Sequence, residues 1–136
     1  KALEKFSGVK RRLELIENKK FIVYDDFAHH PTAISSSIQA VKSIHPGKNI
    51  AVIFEIRSNS MISGSHKKTF LKSFLNVKEL YIYCEKEITW LDENSNIAVY
   101  KDIEQITQQI NNNIDNVDIV IVMSNGDTTE ILKQLE

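Results

Sequence analysis

From residue 11 onward, apolar positions switch repeatedly between a two-residue and a helical rhythm. Arg11 to Ile16 alternates, with Leu13 and Leu15 set to one side and Arg12, Glu14 and Ile16 to the other, which predicts a half-buried strand. Glu17-Asn18-Lys19-Lys20 is a polar turn and Phe21 to Tyr24 a β-rich run, so the two predict an antiparallel hairpin. Pro31 suits a first helical position, whose N–H has no partner in any case. Ile34, Ile38, Val41 and Ile44 follow at helical spacing until His45-Pro46-Gly47-Lys48 ends the run. Ile50 to Phe54 is continuously apolar, as in a strand buried on both faces. Glu55 to His66, rich in Ser, Asn and Gly, reads as a loop, and Lys67 to Asn76 as a short helix with Phe70, Phe74 and Val77 on one side. Leu80 to Cys84 and Ile97 to Tyr100 are further strands, and Ile103, Ile106, Ile110 and Ile114 make another helix face. Asp118 to Met123 is the most apolar strand, and Ser124-Asn125-Gly126-Asp127 turns into a last helix with Ile131, Leu132 and Leu135.

Strands and helices therefore alternate from Phe21 onward. The expected fold is α/β: a Rossmann-like, mostly parallel sheet with an N-terminal antiparallel hairpin and helices on both faces, forming a single domain over residues 1–136. Ligands of open α/β sheets bind beyond the carboxyl ends of the strands. Three polar segments fall there: Asp25 to His30, Glu55 to Gly64, and Ser124 to Asp127.

Composition narrows the function classes. With 42% hydrophobic and 26% charged residues, the chain has the make-up of a globular domain. A net charge of −1 speaks against a nucleic-acid partner held by bulk charge. The single cysteine, Cys84, excludes an internal disulfide and a cysteine zinc cage, and fits the reducing cytoplasm. No apolar run approaches the roughly 18 residues that cross a bilayer, so no membrane partner is expected. The first residue is Lys1, not Met, which raises the expectation of a longer parent.

The densest chemistry is Asp25-Asp26-Phe27-Ala28-His29-His30-Pro31. Two acids and two imidazoles beside a helix start suit a sugar hydroxyl, an anion or a metal; equally, Asp and His can simply cap the helix. Adjacent histidines on extended chain point to opposite faces, which disfavours a metal there. Gly8-Val9-Lys10-Arg11-Arg12 offers guanidinium forks for phosphate or carboxylate, or else a solvated edge strand. Arg57-Ser58-Asn59-Ser60-Met61-Ile62-Ser63-Gly64 is either a recognition loop or an ordinary surface loop. The amides of Ser124-Asn125-Gly126 suit an anion or a plain turn. Cys84 reads as a buried spectator, and Trp90 as packing over a strand end. Neither a phosphate loop nor a G-x-G-x-x-G run occurs, so this chain alone is a poor candidate for a complete ATP-using enzyme.

Phe6-Ser7-Gly8-Val9-Lys10-Arg11-Arg12-Leu13-Glu14 and Asp25-Asp26-Phe27-Ala28-His29-His30-Pro31-Thr32-Ala33-Ile34 together resemble the C-terminal domain of the Mur ligases, the cytoplasmic ATP-dependent amide-bond-forming ligases of peptidoglycan synthesis. Phe27 and Ala28 stand where the L-alanine-adding branch would carry Tyr and Gly. Together with Arg57-Ser58-Asn59-Ser60-Met61 and Met123-Ser124-Asn125-Gly126, they look most like the murein peptide branch, which attaches recycled L-alanyl-γ-D-glutamyl-meso-diaminopimelate to UDP-N-acetylmuramate. The resemblance spans the chain from Phe6 to the last helix; Asp127-Thr128-Thr129 departs from the family's expected Gly and aromatic.

The resemblance implies the third domain of a three-domain enzyme, whose central domain holds ATP and the Mg²⁺ ligands, with no metal ligand in this chain. It implies contact of Arg12 with ATP phosphate and of Asp26 with the ribose or the closed state, both in catalytic roles. His29 and His30 would line the nucleotide edge. Arg57, Ser58, Asn59, Met61, Ser124 and Asn125 would face the peptide. The fragment alone would be inactive. The alternatives are the L-alanine-adding ligase and a non-catalytic nucleotide-binding module.

Overall fold

A computed structural model describes residues 12–64, 67–88, 90 and 97–136. The stretch 6–11 of the basic motif lies outside the described residues, as do Lys1 to Lys5. Six strands form one sheet: β1 (Glu14–Ile16), β2 (Ile22–Asp26), β3 (Ile50–Glu55), β4 (Glu79–Tyr83), β5 (Val99–Tyr100) and β6 (Ile119–Met123). Their order is β1-β2-β6-β3-β4-β5, antiparallel between β1 and β2 and parallel elsewhere. The last strand thus sits in the middle, with Ile121 opposite both Tyr24 of β2 and Val52 of β3. The expected hairpin and parallel sheet are both present.

The helices are α1 (Pro31–Ile44), α2 (Asn59–Ile62), α3 (Lys67–Lys72), α4 (Ile103–Asn112) and α5 (Thr129–Gln134). One face of the sheet presents Tyr24, Val52, Phe54, Ile82 and Ile121 to Ile34, Ile38 and Val41 of α1, Met61 of α2 and Phe70 of α3. The other presents Val23, Ile53, Val120 and Val122 to Ile106 and Ile110 of α4 and Ile131 of α5. Strands β3 and β6 are buried on both faces, which is why their sequences run apolar without alternation. No helix among the described residues is long and apolar enough to cross a membrane.

Several expectations need correction. Leu15 does not share the burial of Leu13: on the edge strand β1 it is 65% exposed. Ile44 and Ile114 are also exposed; Ile44 ends α1, and α4 stops at Asn112 before Ile114. The segment Glu55 to His66 is not all loop, since Ser58 caps the single-turn helix α2 by accepting from the Met61 N–H at 3.3 Å. That turn is pinned by Trp90, whose Nε1 donates to the Met61 and Ile62 carbonyls, both at 3.0 Å. The Trp90 ring meets Phe70 edge-on at 5.6 Å, within a cluster that includes Phe54 and Phe74. Gly64, at φ +84°, passes so close that a Cβ there would lie 2.8 Å from the indole.

Candidate functional site

Because β2, β6 and β3 are neighbours, their carboxyl ends bring the three polar segments side by side along one edge. Asp26 and Phe54 both align with Met123, and the Ser124 N–H donates to the Asp26 carbonyl at 3.1 Å. Two groups of side chains stand on this edge.

The first is a cleft of about 450 Å³ between the entry to β1 and the start of α1, lined by Arg12, Asp26, Phe27, His29, His30 and Ser36 among others. Asp26 ends β2 and is only 4% exposed. Its Oδ1 accepts from the Leu13 N–H at 3.3 Å, while its Oδ2 is buried with no hydrogen-bond partner among the described residues. Buried acceptors are rarely left so. Leu13 has φ +48°, a left-handed conformation that is costly for a branched side chain. The Asp26 carboxyl thus touches a strained turn, and that turn carries the exposed Arg12 to the cleft.

His29 and His30 do not point to opposite faces. The chain bends into α1 there, with His30 as its N-cap, and the two rings lie 4.5 Å apart. His29 Nδ1 is 3.1 Å from the Phe27 carbonyl, and the Phe27 ring stands edge-on to it at 5.5 Å. Phe27 is 45% exposed, so an apolar plate borders a polar cleft. No group of three or more His, Cys, Asp or Glu that could hold a metal occurs among the described residues. Asp25 faces the other side of the sheet and accepts from the buried Thr128 hydroxyl at 3.0 Å, so the neighbouring acids have different surroundings.

The second group joins the ends of β3 and β6. Ser124 is fully buried; its Oγ donates to Glu55 Oε1 at 2.6 Å and accepts from the Gly126 N–H at 2.9 Å. Glu55 Oε2 pairs with Arg57 Nη1 at 3.4 Å. Beside them, Glu55, Arg57, Cys84, Glu85 and Lys86, with Ile56 and Ile62, line a pocket of about 180 Å³ that mixes charged and apolar side chains. Burial pushes the Cys84 thiol above its ordinary pKa, in keeping with a spectator. Asn125 is half-buried and Asn59 exposed on this edge. Met61 is not brought to the pocket: it is 4% exposed and packed in the core under α2. Glu55 carries the arrangement, yet at the end of an apolar run it reads as the start of a loop; its partner Ser124 is distant in sequence.

The chain matches the family model "Mur ligase, glutamate ligase domain" over residues 11–126. It is 31% identical to UDP-N-acetylmuramate–L-alanyl-γ-D-glutamyl-meso-2,6-diaminoheptandioate ligase of Haemophilus influenzae, over 93% of this chain and 30% of that protein. It is 28% identical to UDP-N-acetylmuramate–L-alanine ligase of Desulforapulum autotrophicum, over 93% of this chain and 31% of that protein. Among solved structures, a murein peptide ligase from Psychrobacter arcticus superposes with a TM-score of 0.77 at 29% identity, covering 98% of this chain and 32% of that one. The chain thus spans about a third of the length of the curated relatives it matches.

Proposed function

The chain belongs to the Mur ligase family, through its glutamate ligase domain, and from that premise we propose that it is the C-terminal domain of a longer ATP-dependent ligase of peptidoglycan recycling. The ligase joins L-alanyl-γ-D-glutamyl-meso-diaminopimelate to UDP-N-acetylmuramate in the cytoplasm. A carboxylate resists amines because its leaving group is oxide. ATP transfers its γ-phosphoryl group to the lactyl carboxylate, giving an acyl phosphate and ADP. The free amine of the peptide attacks the acyl carbon, and the tetrahedral intermediate expels phosphate to leave the amide.

This domain supplies one wall of that site. Closing over the central ATPase domain, it excludes water that would hydrolyse the acyl phosphate and brings the amine into line. Mg²⁺ belongs with the phosphates on the central domain. Arg12 reaches the ATP phosphates, and Asp26 takes a ribose hydroxyl; its unpartnered Oδ2 is the observation that carries the nucleotide assignment. His29 and His30 line the same edge. Arg57, with Ser58, Asn59 and Asn125, faces the peptide, and Ser124 and Met61, both buried, support that wall from beneath. An arginine held over the strand ends suits a tripeptide with several carboxylates better than it suits free alanine.

The test follows phosphate release by the full-length protein with ATP, Mg²⁺ and UDP-N-acetylmuramate, supplied with either tripeptide or L-alanine. Release with tripeptide alone is expected. Release with L-alanine alone assigns the other branch, and silence with both from a folded protein leaves a non-catalytic module.

A further inference from the structure

We propose that Glu55 and Gly126 are positioning residues for Arg57, forming a slot that fixes its guanidinium for a carboxylate of the incoming peptide. The inference deepens the reading above and rests on Arg57 facing that substrate.

Glu55 is the last residue of β3, and its side chain is 10% exposed, whereas Arg57 two positions on is 52% exposed. A half-exposed arginine samples many rotamers and loses them on binding; prior fixation lowers that cost. Three contacts supply the fixation. The Gly126 N–H donates to Ser124 Oγ, the Ser124 hydroxyl donates to Glu55 Oε1, and Glu55 Oε2 pairs with Arg57. Each bond in such a relay polarises the next. The fourth side of the slot is bare backbone: a Cβ on Gly126 would lie 2.7 Å from Arg57 Cζ and Nη1 and 2.8 Å from Nε. Gly126 is not among the residues of positive φ, so the glycine meets a need for space and not for backbone freedom. Its neighbour is the far end of a flexible side chain, so a methyl group there displaces the guanidinium while the backbone stays where it is. With Nη1 turned to Glu55, the rest of the guanidinium remains for a carboxylate.

The experiment uses the full-length protein, varying tripeptide at saturating ATP and UDP-N-acetylmuramate. Gly126→Ala is expected to raise the peptide KM about fivefold or more, leaving the ATP KM and the thermal midpoint as in the wild type. Glu55→Gln keeps an acceptor for Ser124 and removes the charge facing Arg57; it is expected to act in the same direction, and serves should Gly126→Ala fold poorly. In an Arg57→Ala background both changes should add nothing, because they act through the residue already removed. Wild-type peptide KM in both single variants, alongside a raised KM in Arg57→Ala, would overturn the positioning and leave the role of Arg57 intact. Equal effects with and without Arg57 would also overturn it. An unchanged peptide KM in Arg57→Ala would remove the reading on which it rests.

Discussion

Replacing Asp26 by Ala should separate stability from function. Its Oδ2 is buried without a partner, and an unsatisfied buried acceptor costs about 1–3 kcal/mol, which the substitution releases. Against this stands the bond from the Leu13 N–H, long at 3.3 Å and so near the low end of the usual range, about 0.5 kcal/mol. Leu13 is half-buried, so water can replace that acceptor. Freed from the carboxyl, the turn at φ +48° can also relax, recovering part of a strain of about 1–3 kcal/mol. The net expectation is a domain as stable as the wild type or up to about 2 kcal/mol more stable. Urea titration of the 136-residue chain measures this. On the proposed nucleotide role, the same change in the full-length protein removes a hydrogen bond from a ribose hydroxyl, worth about 1.5–3 kcal/mol to a carboxylate, so kcat/KM for ATP should fall about ten- to a hundredfold. A loss of more than about 2 kcal/mol in the unfolding free energy from urea titration would make Asp26 a structural anchor and refute the reasoning. So would a kcat/KM for ATP within twofold of the wild type.

Further outcomes follow from the same geometry. Gly64→Ala meets both a left-handed backbone and the Trp90 ring at 2.8 Å, so it should lower stability by about 1–3 kcal/mol in a thermal or urea melt. Thr128→Val removes the hydroxyl bonded to buried Asp25 and should cost about 1–3 kcal/mol while sparing the peptide KM. Burial, then the hydrogen bond to Glu79, hold the Tyr81 phenol above its ordinary value of 10.0. Such a group favours folding fully below its unfolded pKa, and the benefit is lost as pH rises toward its folded one. The urea midpoint should therefore decline above about pH 10, and less steeply in Tyr81→Phe.

The alternation of strands and helices was legible because each element carries its own period, and Pro31 marks the start of α1 to the residue. The convergence of three polar segments was legible too, as a consequence of parallel strands. What local pattern could not show was which strands adjoin: β6 between β2 and β3 is a long-range pairing, and the contact of Ser124 with Glu55 depends on it. Alternation also put Leu15 with Leu13, but whether a helix covers an edge strand is a tertiary matter. Four residues of helix inside a polar segment leave no periodic trace beyond the capping Ser58. The histidine rings come together because the backbone bends between strand and helix, which an extended-chain rule does not describe.

The placement of β6 also governs the order in which this domain can form. In the sheet, β1 and β2 join β3, β4 and β5 only through a strand that follows all five in the chain. During synthesis the two groups wait as separate pieces with unpaired edges, and the pairings that join them span a large part of the sequence. Such closure is slow, and the exposed apolar edges of β2 and β3 are the hazard of the interval. The Glu55 relay cannot precede this event, because it needs Ser124 itself, whereas the residues around Asp26 all lie between Arg12 and Ser37, on β1, β2 and α1. The two groups therefore assemble on different schedules: the cleft can form with the first hairpin and helix, the Glu55 relay only with the last strand.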